Sequence, residues 1–548
     1  MVDSTTDLIT GFLEQSFSLN DVRKWDGDAE DCCQTSYILW YRPYIKGSLA
    51  LSSTFRTNMK LRNILLSCFV LPILLSNEAA STSTCRCLYG QSCWPNENEF
   101  ATLASQLSQP LLHPVPPESA CYLPSAPSGN CSVVIVNNTN GNWRSDQPGS
   151  MQNTNFESFI FHNGTISACY LNTTLGFPCE QGSVPPVGVD ARSASDVQTA
   201  VNFSKQHNLK VVVKNTGHDY LGRSTARGGF LIWTHFMKGI SYNSTFIPDG
   251  APATAENTYN GWFPSFSLNC QWLIVDRSAV TYGAGVQWHE AYDSANQQGR
   301  FILGGLSAAA SVGAAGGWVL GGGHSAFSPK FGLGIVIPIY SACAYIYWYD
   351  DTGVDNVLQY TIVLSDGSLI TTNSFQYPDL FWALRGGGGG TYGIVISTTY
   401  QTHPTFSMVG AFMVANFSSP AIAQNVTTEL IKLHPIILDA GWGGYFDLSN
   451  STLTAIVVAP NVSWADANAT FLPFAEYVYE ATGGSVEATT IQFTSFYEFY
   501  VTFFGNTTGQ VGSPVELASR LLPRSLAETD PAKAAEIILS IEGGAVMK

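Results

Sequence analysis

Three glycine-rich stretches constrain the fold of this chain more than any other feature. The first, residues 214–220, reads Lys-Asn-Thr-Gly-His-Asp-Tyr and follows the apolar run 209–213, which predicts a short buried strand. The second covers residues 312–325 and the third residues 386–390. Glycine lets the backbone approach a ligand closely, and successive N–H groups can form a nest for an anion. One such loop could serve tight packing alone, but three in this order favour a dinucleotide site.

The glycine spacing favours a flavin over a nicotinamide cofactor. Gly313, Gly316 and Gly317 do not follow the G-x-G-x-x-G pattern of Rossmann sites, and no acidic residue is obviously placed to bind a ribose. His218 lies in the first loop, where a neutral imidazole would be nucleophilic near physiological pH. On the residues alone, a histidine that only hydrogen-bonds within its loop is the simpler interpretation.

Predicted strands and helices alternate around these loops. A strand at 187–190 precedes Ser193 and Asp196, which have the spacing of a helix capping box. A strand at 279–285 precedes a helix that starts at Trp288. Further along, a turn of sequence Ser-Asp-Gly joins two strand-like runs as a hairpin, and a helix with proline in its first turn leads to the third glycine stretch. This alternation predicts α/β units.

The motifs resemble the FAD-linked oxidases of the vanillyl-alcohol oxidase and berberine bridge enzyme superfamily, which carry a PCMH-type FAD-binding domain. The run Thr-Gly-His-Asp-Tyr-Leu-Gly-Arg-Ser at 216–224 looks most like fungal secreted isoamyl-alcohol-oxidase-like and secondary-metabolite flavin oxidases. The resemblance covers roughly residues 85–548 and is sharpest over 187–404. It implies an α+β fold, in which a two-subdomain PCMH-type FAD-binding domain precedes a sheet-based substrate domain.

Composition and resemblance together predict the domain organisation. We expect an upstream artefact or extension at 1–58, a signal peptide at 59–80, a cysteine-rich lead-in at 81–180, the FAD-binding domain at 181–404 and the substrate domain at 405–548. Residues 335–353 interrupt the family pattern, as a retained intron, a gene-model error or a real lineage-specific loop would do. Relatives continue to an Asn-x-Tyr segment and a Tyr-Asp-Pro element that close over the flavin. The chain stops at Lys548 with neither, which implies a C-terminally truncated substrate domain or an inactive product.

The resemblance also assigns the site. The implied FAD-binding residues are Lys214, Asn215, Thr216, Gly217, His218, Asp219, Gly222, Arg223, Ser224, Val312, Gly313, Gly316, Gly317, Gly322, Gly323, His324, Ser325, Gly393, Ile394 and Val395. It implies a covalent bond from the flavin to His218 alone, because the second, cysteinyl tether of some members falls on Ala309. Tyr497 and Tyr500 are the candidate catalytic residues, although such an aromatic cluster more often forms core. The catalytic base stays unassigned, and no metal site is expected.

The implied reaction moves a hydride from an alcohol-like or alkaloid-like substrate to flavin, and dioxygen then becomes hydrogen peroxide. Two alternatives stay open: a flavin-binding cyclase without net oxidation, and an inactive truncated glycoprotein. The expected partners are a small-molecule substrate and dioxygen, and we expect a monomer. A net charge of -16 argues against nucleic acid, whose phosphates need a basic face, and against electrostatic binding to an anionic membrane.

A short basic segment, an apolar run and small residues follow Met59 in the order of a secretory signal peptide, and the run is short for a stable membrane span. A signal anchor behind a cytosolic segment is the alternative. Twelve Asn-x-Ser/Thr sequons fit secretion and N-glycans: Asn130, Asn137, Asn163, Asn172, Asn202, Asn243, Asn416, Asn425, Asn450, Asn461, Asn468 and Asn506. We therefore expect an extracellular protein.

Eight cysteines remain after those of the upstream segment, the signal run and the insert are set aside: Cys85, Cys87, Cys93, Cys121, Cys131, Cys169, Cys179 and Cys270. An oxidising compartment favours disulfides among them, with no pairing implied by the sequence. The cluster at 85–93 could alternatively bind a metal, but no histidine lies near it.

Overall fold

The computed structural model describes residues 85–122, 129–252, 278–331, 356–505, 511–541 and 544–547. The chain divides into two units, Met1–Arg86 and Cys87–Lys548, and every helix and strand described belongs to the second. The predicted upstream segment, signal peptide and insert lie outside the described residues, and so does Cys270. The domain boundaries drawn from the sequence therefore stay predictions.

Helices and strands alternate through the described residues. The α-helices are α1 (Glu97–Ala104), α2 (Cys131–Asn137), α3 (Gly141–Ser145), α4 (Ala194–Gln206), α5 (Trp288–Gln297), α6 (Ser328–Phe331), α7 (Pro378–Leu384), α8 (Pro420–Asp439), α9 (Trp464–Thr482), α10 (Phe496–Phe503), α11 (Arg524–Thr529) and α12 (Pro531–Leu539). The strands are β1 (Leu111–Leu112), β2 (Phe159–Ile160), β3 (Ile166–Ser167), β4 (Val187–Asp190), β5 (Val211–Lys214), β6 (Phe230–Trp233), β7 (Ile240–Asn243), β8 (Ala279–Gly283), β9 (Arg300–Phe301), β10 (Val357–Val363), β11 (Leu369–Thr372), β12 (Ile394–Gln401), β13 (His403–Pro404), β14 (Met408–Asn416), β15 (Gly443–Leu448), β16 (Thr452–Pro460), β17 (Val486–Phe493) and β18 (Ala545–Met547).

The first sheet has the strand order β1-β4-β6-β5 and leads into the first glycine loop at the end of β5. β4 and β5 are both parallel to β6, and every residue of β4 and β6 is buried, as parallel strands covered on both faces should be. Helix α4 packs Val197 and Ala200 into the same core. The predicted capping box is confirmed: Asp196 donates its N–H to Ser193 Oγ at 3.2 Å and accepts the Ser193 N–H at 3.0 Å.

The second sheet is antiparallel, in the order β11-β10-β12-β8-β7. The predicted hairpin joins β10 to β11, and Gly367 takes a φ of +90° in its turn. The predicted strand at 279–285 ends two residues early, because the chain turns where Val286 donates its N–H to Gly283 O. Helix α5 buries Trp288 and Tyr292, as the helical spacing predicted.

The third sheet is also antiparallel, in the order β17-β14-β16-β15-β18. Helices α8, α9 and α12 pack with it in one apolar core. Helix α10 and β9 contribute to another core, which also contains α5 and residues of β14 and β16. The second and third sheets therefore share a hydrophobic core, and the predicted α+β class with a sheet-based C-terminal half is confirmed.

Among the described residues, three disulfides stabilise the lead-in: Cys87–Cys93, Cys121–Cys131 and Cys169–Cys179. Each joins cysteines six or ten residues apart, so each closes a local loop. Cys87 and Cys93 thus form a disulfide in place of the alternative metal site. Within the described residues, no helix combines the length and the apolar composition of a transmembrane span.

Candidate functional site

The first glycine loop begins where β5 delivers Lys214 and Asn215 to a buried position. Lys214 donates its Nζ hydrogen to Gln147 O at 2.6 Å, and burial lowers the pKa of this amine to about 7, against the opposing effect of Glu157. Asn215 donates its Nδ2 hydrogen to Ala284 O at 2.5 Å. The loop is therefore anchored by polar contacts on both sides before it reaches His218.

The second loop lies directly against the first. A Cβ on Gly313 would collide with Asn215 Nδ2, and a Cβ on Gly316 would come within 2.8 Å of Ala284 O. Only glycine fits at Gly313, because the amide it would displace is buried and already hydrogen-bonded. Val312 accepts the N–H of Trp288 at 3.0 Å, which holds this loop on helix α5.

The third loop closes onto the other two. Gly388 donates its N–H to Leu320 O at 2.7 Å, and a Cβ on Gly388 would collide with the Arg223 guanidinium. Gly386 lies close to Gly322, because a Cβ added at Gly386 would be 3.9 Å from the Cα of Gly322. The structure thus brings the three glycine stretches together, as expected if they form one site.

His218 sits in this cluster with a neutral side chain at physiological pH. Burial lowers the pKa of its imidazole to about 4, although the adjacent Asp219 acts in the opposite direction. Its ring meets the Tyr220 ring edge-on at 5.0 Å. Asp219 Oδ1 accepts the N–H groups of Leu221 and Arg223 at 2.8 and 2.9 Å, which fixes the loop just after the histidine. A neutral imidazole keeps a lone pair available for reaction.

Backbone donors of the first two loops fit a dinucleotide pyrophosphate. Among the described residues, no acceptor takes the N–H groups of residues 216–219 or 315–317. Thr216, Gly217 and Ala315 are buried, and a buried N–H without an acceptor is costly. An anionic ligand bound between the loops would supply the missing acceptors. The residues present therefore fit FAD, and Asn215 adds a buried Oδ1 that lacks a donor within the described residues.

Several residues predicted to bind FAD lie at the edge of the three glycine loops. His324 Nδ1 lies 3.1 Å from the hydroxyl of Tyr445 in the third sheet, and burial raises the pKa of that tyrosine. Ser325 caps a local turn, donating its N–H to Ser328 Oγ at 3.0 Å. Gly393 has a φ of +148°, and a Cβ there would come within 2.6 Å of Val363 O. Four more predicted residues lie nearby. Ser224 is half-buried just after the first loop, Gly323 has a φ of +66°, and Ile394 and Val395 are buried in β12.

The two candidate catalytic tyrosines lie on helix α10. Tyr497 donates its hydroxyl to Asp293 Oδ1 at 2.8 Å, whereas Tyr500 is buried with its ring 5.0 Å from Tyr292. Within the described residues, no hydrogen bond joins either tyrosine to the glycine loops. A cavity of about 380 Å³ lies beside Asp293, and no residue of the glycine loops lines it. This cavity is therefore separate from the glycine loops.

The structure also reveals polar residues that the sequence analysis missed. Gln152 and Ser311 are fully buried between the first two loops, and Gln287 joins them there. Among the described residues, no group of three or more His, Cys, Asp and Glu side chains is arranged to hold a metal ion. Lone glutamines and serines carry no sequence signal, because neither spacing nor composition distinguishes them from surface residues.

The fold and this site define an FAD-binding protein, and the comparisons with known proteins agree. The FAD binding domain family matches residues 185–335. An uncharacterized FAD-linked oxidoreductase of Arthroderma benhamiae is 34% identical over 483 residues, which cover 85% of this chain and 74% of that one. The VAO-type flavoprotein oxidase VAO615 of Thermothelomyces thermophilus is 30% identical over 469 residues, 84% of this chain and 71% of that one.

Solved structures show the same fold. The VAO-type flavoprotein MtVAO615 from Myceliophthora thermophila C1 matches with a TM-score of 0.67 at 27% identity, over 84% of this chain and 76% of that one. MtVAO713 from the same source matches with a TM-score of 0.66 at 25% identity, over 83% and 75%. The chain is an FAD-linked oxidoreductase. Within that class it belongs to the VAO-type, berberine bridge enzyme-like family, which confirms the resemblance.

Proposed function

We propose that this protein is a secreted oxidase that takes a hydride from an alcohol-like or secondary-metabolite substrate onto FAD and passes the electrons to dioxygen, giving hydrogen peroxide. The observation that carries the proposal is the set of backbone N–H groups at 216–219 and 315–317 that have no acceptor among the described residues, next to the neutral His218. The relative named a VAO-type flavoprotein oxidase supports dioxygen as the acceptor.

In this proposal the chain's own residues bind and orient the cofactor. The loop N–H groups receive the pyrophosphate, and Asn215 and Gly313 keep the two loops in contact. Bound FAD would supply the redox chemistry, accepting the hydride and passing two electrons on. The sheet strand that carries Tyr445 approaches His324 of the second loop, so the third sheet is the element best placed to bind substrate.

We further propose that His218 attaches covalently to the 8α carbon of the flavin, as the sequence resemblance implies. The imidazole N–H bond and one methyl C–H bond are replaced by a C–N bond. The two hydrogens and two electrons released would reduce one dioxygen to hydrogen peroxide, so atoms and electrons balance. Ala309 offers no thiol for a second attachment, and its N–H instead donates to Phe504 O at 3.0 Å.

The test is an absorbance spectrum of the full chain before and after acid precipitation. We expect flavin absorbance that stays in the pellet, with release from His218→Ala but not from His113→Ala, an exposed histidine outside the loops. Release from the wild type would contradict the covalent bond. A chain without flavin absorbance would contradict the whole proposal. If flavin is bound, peroxide assays with candidate alcohols test the acceptor and the substrate class.

A further inference from the structure

Gln152 connects the first two glycine loops through a fully buried network. Its backbone N–H donates to Gly217 O at 2.9 Å, one residue before His218. Its side chain reaches Ser311, the residue just before the second loop: Nε2 donates to Ser311 O at 3.3 Å, and Oε1 accepts the Ser311 hydroxyl at 3.1 Å. Gln152 and Ser311 have no exposed surface, so water does not compete for these bonds.

Neighbouring residues hold the Ser311 end of this connection. Gln287 donates its Nε2 hydrogen to Ser311 O at 2.8 Å, and Gln152 donates to Ser145 Oγ at 3.0 Å. A Cβ on Gly141 would collide with Ser311 Oγ, so the serine has no space to move in that direction. The polar network is therefore tight as well as buried.

Residues 512–515, which follow helix α10, contact the other side of Gln152 and its neighbour Asn155. Gly512 donates its N–H to Gln152 O at 2.8 Å, and Asn155 exchanges two hydrogen bonds with Val515, at 3.0 and 3.2 Å. The bonds to Gly217 and Gly512 are backbone bonds, so a side-chain substitution leaves them intact. The bonds to Ser311 and Ser145 depend on the glutamine amide, so mutation separates them from the backbone bonds.

We propose that Gln152 is a positioning residue that sets the distance between the His218 loop and the loop that begins at Val312, and so sets how well the two loops hold and attach FAD. This inference rests on the proposed function, in which these loops bind the cofactor. Covalent attachment needs the imidazole within reach of one carbon atom, and an error of about 1 Å costs on the order of a hundredfold in rate. The lost amide contacts therefore affect attachment more than folding.

The experiment compares Gln152→Ala with Asn155→Ala, which breaks bonds of the same segment without touching either loop. The first readout is the fraction of flavin that acid precipitation retains, followed over time after FAD addition. The second is the dissociation constant of FAD in the His218→Ala background, measured by flavin fluorescence, because attachment is absent there. We expect Gln152→Ala to slow attachment and weaken FAD binding by roughly tenfold or more, and Asn155→Ala to change neither by more than about twofold.

Equal attachment and equal FAD affinity in Gln152→Ala and wild type would overturn the inference. If the wild type binds FAD reversibly, the covalent proposal is wrong, but the affinity comparison still decides the role of Gln152. If it binds no FAD, both proposals fall together. Should Gln152→Ala not fold, Ser311→Ala removes the hydroxyl bond alone and must weaken FAD binding in the same direction. Gln152→Glu would place a carboxylate oxygen against Ser311 O in place of the amide donor, so this variant must also bind FAD more weakly than the wild type.

Discussion

At the residue scale, the environment of His218 predicts an unusual pH dependence. Burial lowers its pKa from 6.5 to about 4, so the reactive neutral form persists in mild acid. We expect the rate of covalent flavin attachment to stay level from about pH 8 to about pH 5 and to halve near pH 4, measured by acid precipitation after FAD addition. A rate that halves near pH 6.5 would contradict a desolvated imidazole.

The same shift has a consequence for stability, and its sign follows from proton binding. Between pH 6.5 and about 4 the unfolded His218 binds more protons than the folded one. The contribution of His218 is therefore fully present above pH 6.5 and is lost as the pH falls toward 4. His218→Ala should remove this part of the acid sensitivity.

A second residue-scale prediction concerns Arg144, which is buried between two carboxyl groups. Its Nη2 lies 2.6 Å from Glu157 Oε1, and its Nη1 lies 3.6 Å from Glu118. Burial, and then the neighbouring Glu118, raise the pKa of Glu157, while the charge and hydrogen bond of Arg144 lower it and favour the ionised carboxylate. Arg144→Met would leave both carboxyl groups buried without their cation, so we expect a loss of about 3–5 kcal/mol in the free energy of unfolding.

Urea unfolding measures this loss, and Lys432→Met is the matched control. Lys432 forms an ion pair with Glu429 on the surface of helix α8 and is about half exposed. Exposed pairs of this kind contribute at most about 1 kcal/mol. A similar loss in the two variants would mean that Arg144 acts as an ordinary surface charge.

At the element scale, the start of helix α4 combines a cap with an anchor for the lead-in. Asp196 accepts the N–H and the hydroxyl of Ser108, both at 2.8 Å, in addition to its capping bonds with Ser193. We expect Ser193→Ala to cost about 1 kcal/mol of stability, as a lost cap does. Asp196→Ala also loses the Ser108 bonds and should cost about 2 kcal/mol or more, measured by urea unfolding.

The pH dependence of Asp196 distinguishes this account from loss of helix propensity alone. Burial by itself would raise the pKa of Asp196, but hydrogen bonds from Ser108, Ser193 and Arg192 outweigh burial and lower it. Because the folded-state pKa of Asp196 is below the ordinary value of 3.8, its carboxylate stabilises the fold at pH values above 3.8, and this stabilisation is lost as the pH falls below that value. Asp196→Ala should therefore lose less stability than wild type on acidification; equal losses would refute the anchor.

The sequence could predict elements that have a periodic pattern of apolar residues and loops whose tight packing requires glycine. Val197 and Ala200 follow the helical period, and Gly313 is required because a side chain there would collide with Asn215. Gln152 and Ser311 lie 159 residues apart in sequence and meet only in the fold, so no local pattern reveals them. The same reason hid Asp293, the partner of Tyr497.

At the scale of the whole molecule, one aromatic core joins the FAD-binding half to the third sheet. The Phe496 ring lies 4.8 Å from Tyr292, 5.2 Å from Phe301 and 5.2 Å from Phe327, all before the third sheet in the chain. The predicted boundary near residue 405 therefore separates sequence segments that share buried surface. Such a boundary is visible in composition, but the shared core is not, because it depends on tertiary contacts between distant rings.

This shared core predicts that the two halves unfold together. Phe496→Ala removes a ring that contacts three aromatic side chains from earlier in the chain, so we expect a loss of about 3–5 kcal/mol and one cooperative transition. Circular dichroism should report this transition at the same midpoint as the change in fluorescence of the bound flavin, because α10 leads directly to Phe504, whose carbonyl accepts the N–H of Ala309, three residues before the second loop. Val501→Ala on the exposed face of the same helix should change the midpoint little. Two separate transitions, with the midpoint of the flavin fluorescence change unaffected by Phe496→Ala, would show that the halves are independent.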